Sequence, residues 1–362
     1  MKIGVLGSGQ LGRMLALSAY PLGHQMSFLA SSEEDPSSLL GNTFIQNGSQ
    51  EIIEEFASNS DVVTYESENT AINIVKEISQ KTMVYPSAKS LYISQHRGRE
   101  KLLFDKLNIP CAPYQMVNNL QELKIAVEKI GLPAILKTAT DGYDGKGQFL
   151  IQSDSKLDQA WKSMSGVESI LEGFINFKRE LSLVAVRGVD NTHKYYPLVE
   201  NSHHNGILRL TIAPAQNISS KLQQQAESYM RSLLDEMNHV GVLTIELFET
   251  DSNLVVNEMA PRVHNSGHWT IEGAHTSQFE NHIRAITETP LGDTSYTHKY
   301  SAMINIIGKQ GPIDKALTLK NAHLHLYNKT EREGRKLGHI TITANTIDDL
   351  NTSLETLSDF MP

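Results

Sequence analysis

The stretch GVLTIELFETDSNLVVNEMAPR, residues 241–262, decides how this chain is read. Two strand-like runs, TIELFE at 244–249 and LVVNEMA at 254–260, flank the turn-forming Asp251, Ser252 and Asn253, the pattern of a β-hairpin. A hairpin centred on Ser252 sets Glu246 opposite Glu258, each six residues from the centre. Directly opposed side chains share a face with Cβ atoms roughly 5 Å apart, and like charges there repel unless a cation lies between them. Hard carboxylate oxygens beside an amide, Asn257, suit Mg²⁺, which takes its remaining ligands from nucleotide phosphates and water. A solvated polar face on a surface hairpin is the other reading of the same pattern.

Working outward, 362 residues exceed one ordinary core and imply two or three domains. A net charge of −9 argues against sequence-independent nucleic-acid binding, while leaving room for local basic pockets. The single cysteine, Cys111, excludes an intramolecular disulfide and fits either a reducing compartment or a core position. The opening MKIGVLG enters a strand with no charged leader, and no run of roughly 18 apolar residues follows anywhere. The expectation is a soluble, cytoplasmic protein with no membrane partner.

Residues 2–6 read as a buried strand and residues 10–20 as a helix, a βα unit. A strand at 25–30, a helix at 50–58 and a strand at 61–65 continue the alternation, which predicts a parallel sheet with helices on both sides. The charged helical run 95–107 ends at Asn108, Pro110 and Pro113, so a new unit begins near Arg97. That unit reads as α+β: a helix at 121–129, strands at 133–137 and 148–151 around a glycine turn, strands at 168–171, 180–187 and 195–200, a helix at 221–239, then the hairpin. After Pro290 short strands at 302–307, 323–327 and 339–344 predict a small β-rich third domain. The expected domains are 1–96, 97–290 and 291–362.

Three motifs carry chemistry. Gly7-Ser8-Gly9-Gln10-Leu11-Gly12 matches G-x-G-x-x-G between a strand and a helix. A dinucleotide site also needs an acidic residue ending the second strand, and that strand ends Leu29-Ala30-Ser31-Ser32. The turn could instead bind a small phosphate or permit close strand–helix packing. Gly142-Tyr143-Asp144-Gly145-Lys146-Gly147-Gln148 joins two strands and does not fit a Walker loop, yet a glycine hairpin can fold over a nucleotide. Lys137 in the strand before it is either a satisfied edge charge or a phosphate ligand. Arg262, His264, Asn265, Ser266 and His268 form a donor-rich loop after the hairpin; His264 and His268 allow a zinc site on spacing, but Pro261 and Gly267 oppose a ligating helix. The loop suits a polar anionic small molecule. Lys329, Arg335 and Lys336 are a basic cluster, either solvated or a phosphate clamp.

The glycine flap, the preceding lysine, the opposed glutamates and the donor loop together resemble the ATP-grasp superfamily. The ordered set of GSGQLGRM at 7–14, GYDGKGQ at 142–148, NEMAPR at 257–262, HNSGH at 264–268 and RKLGH at 335–339 is similar to the N5-carboxyaminoimidazole ribonucleotide synthase family. The chain departs from the family pattern at Asn328, Lys146 and Ser67. The resemblance implies an ATP-grasp fold: an N-terminal Rossmann-like α/β domain, a central α+β ATP-grasp domain and a small β-rich C-terminal domain. It implies ATP- and bicarbonate-dependent carboxylation of aminoimidazole ribonucleotide through carboxyphosphate, by a carbon–nitrogen ligase of purine biosynthesis. ATP would contact Arg97, Lys137, Gly142, Tyr143, Asp144, Gly145, Lys146, Gly147, Gln148, Glu172, Gly173, Phe174, Ile175, Glu180, His203, Asn257 and Glu258. Mg²⁺ would sit on Glu246 and Glu258. The ribonucleotide would meet Tyr143, Asp144, Arg262, His264, Asn265 and Ser266, with Lys329 and Arg335 on its phosphate. Lys137, Asp144, Arg262 and His264 are the expected catalytic residues, with Asp144 and His264 both open as the base. The resemblance also implies a homodimer, with no NAD.

Overall fold

The computed structural model describes residues 1–142, 147–251 and 253–361. The hairpin centre Ser252 and the expected site residues Tyr143, Asp144, Gly145 and Lys146 lie outside these.

Five strands, β1 (Lys2–Leu6), β2 (Gln25–Ala30), β3 (Asn42–Ile45), β4 (Val62–Tyr65) and β5 (Met83–Val84), make the expected parallel sheet in the order β3-β2-β1-β4-β5. Burial on both faces explains their continuous apolar runs, with Ile3, Val5, Phe28, Val63 and Tyr65 all inaccessible. The glycine turn ends β1 and opens the helix Gln10–Ala19 at the carboxyl edge of this sheet.

An antiparallel sheet of four strands follows: β6 (Tyr114–Val117), β7 (Ala134–Thr138), β8 (Gln148–Ile151) and β9 (Ser169–Gly173), in the order β6-β9-β7-β8. Helices Leu120–Ile130 and Leu157–Ser163 supply Leu123, Ala126 and Ala160 to a core shared with Leu136 and Ile151. Alternation along β7 then puts Lys137, with Ile135, on the face that lines the cleft.

The remaining strands, β10 (Arg179–Arg187), β11 (His193–Tyr195), β12 (Val199–His204), β13 (Ile207–Ala213), β14 (Gly241–Glu249), β15 (Leu254–Ala260), β16 (Tyr300–Ile307), β17 (Ala322–Leu326) and β18 (Lys336–Ala344), form one sheet among the described residues. Its order is β15-β14-β10-β12-β13-β16-β18-β17, with β11 beside β10. The expected strand 195–200 is split around Pro197, which has no N–H to give a ladder. The helix Ser220–Met237 buries Ala226, Met230, Leu233, Leu234 and Met237, a stripe at helical spacing, against Leu243 and Ile245. The C-terminal strands do not build a sheet of their own: β16 pairs with β13, from Leu210 opposite Ile304 to Ala213 opposite Ser301.

In the hairpin, Glu246 pairs with Glu258, as the register from Ser252 predicts. Toward the turn the pairing shifts to Leu247 opposite Val256, leaving Asn257 as the extra residue of a β-bulge. Neighbours on a regular strand point to opposite faces. The bulge lets Asn257 and Glu258 both line the same cleft.

Candidate active site

The cleft, about 690 Å³, lies between the four-stranded and nine-stranded sheets and is closed at one end by the glycine turn of the first domain. Across it runs a row set by register: Glu258 on β15 opposite Glu246 on β14, and Glu246 opposite Ser182 on β10. Arg97 Nη1 donates to Glu258 Oε2 at 2.7 Å, and this ion pair holds Glu258 below the ordinary carboxylate range against the burial that would raise it. Glu246 is pushed up to about 7 by burial and by the charge of Glu258, and its Oε1 lies 3.4 Å from His264 Nε2. A carboxylate pair that retains a proton near neutrality is a donor set for a hard cation. Among the described residues no three His, Cys, Asp or Glu side chains converge as a metal site. The donors present therefore fit a divalent ion completed by phosphate oxygens and water; the zinc reading of His264 and His268 finds no such cluster among those residues.

The helix Arg97–Lys106 grips the bulge with one face. Arg97, Glu100 and Lys101 stand at i, i+3 and i+4. Arg97 takes the Glu258 carboxylate, Glu100 Oε1 accepts from Met259 N, and Lys101 Nζ donates to the Asn257 carbonyl at 2.6 Å. Lys101 also lies 3.5 Å from Glu172, whose other oxygen receives Lys137 Nζ at 2.7 Å. Burial would raise Glu172, but Lys137 and Lys101 outweigh it and bring it down to about 2. Lys137 thus reaches the cleft as a cation braced from below, with Asn257 Oδ1 at 3.5 Å.

The glycine turn is filled from within. The amides of Gly9 and Gly12 donate to Glu66 Oε1 and Oε2 at 2.5 Å each. Added Cβ atoms at Gly7, Gly9 and Gly12 would stand 2.6, 2.8 and 3.1 Å from Glu66 atoms. The fingerprint glycines therefore make room for a carboxylate of the same chain, on the donors that a dinucleotide diphosphate takes in the alternative reading. Two residues on, Glu68 forms a bidentate pair with Arg262, with Nη2 to Oε1 at 2.7 Å, and the guanidinium brings Glu68 down to about 2 despite burial.

The donor loop follows β15. His264 is lowered to about 3, chiefly by burial and then by Arg262, so it is neutral at physiological pH. Ser266 is fully buried behind it. The Asn265 amide is exchanged with Asn305 on β16, at 3.0 and 2.7 Å, and its Nδ2 lies 3.1 Å from His268. A second cavity of about 550 Å³ brings Lys329 and Arg335 to Gly9 and Glu66. Lys329 donates to Gln10 Oε1 and is lowered to about 8 by burial and by Arg335.

Of the residues expected from the sequence, Arg97, Lys137, Gly142, Gln148, Glu180, His203, Glu246, Asn257, Glu258, Arg262, His264 and Asn265 line the one cleft. Glu180 and His203 pair at 3.0 Å on its far side. Glu172 braces Lys137 from beneath. Gly173 and Phe174 continue from β9 with their amides donated to Pro113 and Pro133 carbonyls, followed by Ile175. Gly147 takes a positive φ of 69° beside Thr138, at the foot of the flap. Sequence reasoning missed Glu66, Glu68, Glu100, Lys101 and the apolar wall of Ile135, Phe177 and Phe248. Phe248 was findable, since it stands two residues beyond Glu246 on the same strand face. Phe177 stacks on it with ring centroids 4.5 Å apart.

Comparison with known proteins agrees with this geometry. The ribonucleotide synthetase preATP-grasp domain matches residues 1–95, the ATP-grasp domain matches 102–279, and the phosphoribosylaminoimidazole carboxylase C-terminal domain matches 301–353. The chain is 46% identical to N5-carboxyaminoimidazole ribonucleotide synthase of Pseudomonas aeruginosa over 343 residues, covering 94% of each protein. With that of Bacillus subtilis it shares 39% over 353 residues, 96% of this chain and 92% of the relative. The crystal structure of the synthetase from Thermus thermophilus superposes with a TM-score of 0.94 at 44% identity, covering 99% of this chain and 98% of that one. The synthase from Aspergillus clavatus, solved with ADP and 5-aminoimidazole ribonucleotide, gives 0.92 at 33% identity with coverage of 99% and 98%.

Proposed function

The chain belongs to the N5-carboxyaminoimidazole ribonucleotide synthase family, and from that premise we propose how its cleft carboxylates 5-aminoimidazole ribonucleotide. It is an ATP-grasp ligase of purine biosynthesis, consuming ATP and bicarbonate. The observation that carries the reading is a single cleft in which Lys137, the flap ends Gly142 and Gln148 and the Glu246/Glu258 pair face Arg262 and His264.

Bicarbonate is a poor electrophile because its charge repels an amine. Transfer of the ATP γ-phosphoryl group to a bicarbonate oxygen gives ADP and carboxyphosphate. The exocyclic amine then takes the carboxyl carbon, releasing phosphate and a proton. Phosphoryl transfer between two anions depends on positioning and charge neutralisation. Lys137 and Arg97 supply fixed positive charge beside the row of carboxylates. Glu246 and Glu258 would hold Mg²⁺, with Asn257 adjacent; when bound, the ion neutralises phosphate oxygens. Arg262, held flat by Glu68, presents a planar cation suited to bicarbonate or carboxyphosphate. Lys329 and Arg335 would take the ribonucleotide phosphate at the mouth of the glycine turn. Tyr143, Asp144, Gly145 and Lys146 would complete the flap over the nucleotide.

The same reading divides the chain at 1–96, 97–290 and 291–362, supported by the three domain matches. Its cytoplasmic, homodimeric state is inferred from family resemblance; no helix among the described residues is long and apolar enough to cross a membrane. The test is phosphate release from ATP that requires both bicarbonate and 5-aminoimidazole ribonucleotide. Formate-dependent turnover of glycinamide ribonucleotide in its place would overturn the assignment.

A further inference from the structure

Behind His264 a run of buried side chains carries hydrogen bonds in one direction. Thr211 Oγ1 on β13 donates to Asn201 Oδ1 on β12 at 2.9 Å, and Asn201 Nδ2 donates to Ser182 Oγ on β10 at 2.9 Å. Ser182 Oγ donates to Ser266 Oγ at 2.7 Å, and Ser266 Oγ lies 2.8 Å from His264 Nδ1. Thr211, Ser182 and Ser266 are inaccessible and Asn201 is 6% exposed, so water does not offer alternative partners.

The direction follows from proton counting with Asn201 Nδ2 toward Ser182, the orientation that agrees with the backbone N–H of Ser266, a donor that cannot reverse, on His264 Nδ1. An amide nitrogen only donates, and each hydroxyl has one proton to give. Ser182 receives from Asn201 and therefore gives its proton to Ser266. Ser266 gives its own to His264 Nδ1, which must then be an acceptor. The backbone N–H of Ser266 points at the same nitrogen from 3.3 Å. The imidazole proton is left on Nε2, which faces the cleft and Glu246. A second proton on Nδ1 would need every link of the run to reverse.

We propose that Ser182, Asn201 and Thr211 are positioning residues that hold His264 as its Nε2–H tautomer, so that His264 serves carboxylation as a hydrogen-bond donor to an oxygen and does not accept the amine proton. The tautomer stands on the hydrogen bonds alone. The donor role rests on the reaction proposed above.

The test is nitrogen NMR of the full chain labelled with ¹⁵N-histidine, with the His264 signals identified by their loss in His264→Gln. The wild type is expected to show an unprotonated Nδ1 and a protonated Nε2. Ser182→Ala frees the Ser266 oxygen to accept, giving a mixture, whereas Ser182→Thr keeps the hydroxyl and the wild-type pattern. Asn201→Asp replaces the donor by an acceptor, so the run reverses and the proton moves to Nδ1. In that variant kcat falls on the order of 100-fold, the cost of losing one aimed donor, while KM for ATP stays within about twofold.

A wild-type proton on Nδ1, or folded Ser182→Ala and Asn201→Asp proteins with unchanged spectra, overturns the proposal. Should Asn201→Asp not fold, the alanine and threonine pair at Ser182 reads the tautomer. A reversed tautomer with unchanged kcat overturns the donor role. A wild type inert toward 5-aminoimidazole ribonucleotide refutes the reaction while leaving the NMR result intact.

Discussion

Glu258 holds the Arg97 guanidinium at 2.7 Å, while the glutamate facing it across the hairpin, Glu246, lies 3.4 Å from the edge of a neutral imidazole, His264. The two carboxylates are register partners with opposite proton affinities, one held low and the other raised to about 7. Charge placed on one member is thus charge denied to the other until a cation arrives.

Glu246 should leave a pH signature in the unliganded protein. Its folded pKa of about 7 exceeds the ordinary 4.5, so the folded state holds the extra proton between those values and stability from this group falls as pH rises through that window. Buried His264 and His282, both lowered to about 3, act with the opposite sign from about pH 3 up to their ordinary 6.5, so the total profile mixes the two. The clean measurement is the difference between wild type and Glu246→Gln in thermal unfolding with chelator present. Wild type should lose ground relative to the variant from pH 4.5 to 7. A flat difference would show that Glu246 titrates normally.

Glu258→Gln removes a carboxylate from the row but keeps its shape. Turnover should fall at least about 100-fold, on the scale of losing aimed transition-state charge. Melting temperature should change little, because the Glu258 side chain is 39% exposed and its pair with Arg97 is partly screened. Activity equal to wild type at limiting Mg²⁺ would count against a metal role.

Lys101→Met tests the grip on the bulge. Lys101 is 1% exposed and serves both the Asn257 carbonyl and Glu172. Glu172 keeps Lys137 at 2.7 Å, so the loss is chiefly the donor to the Asn257 carbonyl, at a cost of about 1–3 kcal/mol that denaturant unfolding would register. Calorimetric binding of Mg²⁺·ATP should weaken at least about tenfold in the folded variant, since Asn257 and Glu258 lose their common aim. Lys101→Arg keeps a donor and should recover part of both. Nucleotide affinity unchanged in folded Lys101→Met would confine Lys101 to stability.

Glu66→Ala should leave two helix-start amides without their acceptor, at a cost of about 1–3 kcal/mol. Added inorganic phosphate should restore part of the loss by occupying those amides. A melting temperature insensitive to both the substitution and phosphate would mean that Glu66 contributes nothing to the turn.

These residues also show what the sequence made legible. Register arithmetic from Ser252 reached the Glu246–Glu258 pair because two offsets cancel: beside the turn the partners, such as Leu247 and Val256, are centred between Asp251 and Ser252, and the extra residue at Asn257 shifts the centre to Ser252 for the pairs beyond it. The bulge at Asn257 left no mark, since one extra residue in an apolar–polar run looks like ordinary variation. The parallel first sheet followed from strand and helix alternation. The filling of its glycine turn did not: Glu66 lies 54 positions from Gly12, and only the pairing of β1 with β4 brings them together. Ser182, Asn201 and Thr211 are unremarkable letters on three strands that become a directed run only when β10, β12 and β13 lie side by side.

The junction of β13 with β16 has a mechanical consequence. Because those strands share a ladder, the carboxylate row at one edge and the β18 end that carries Lys336 beside Arg335 belong to one twisted plate. The gap between the carboxylate row and the basic cluster at the β18 end is thereby gauged by strand spacing, like two jigs bolted to a single bench. The four-stranded sheet bearing Lys137 and the flap shares no strand with that plate. Lys137 is thus set against the carboxylate row by side-chain contacts, through Glu172 at 2.7 Å and Asn257 at 3.5 Å, and a substitution at either can shift the lysine without changing the gauge.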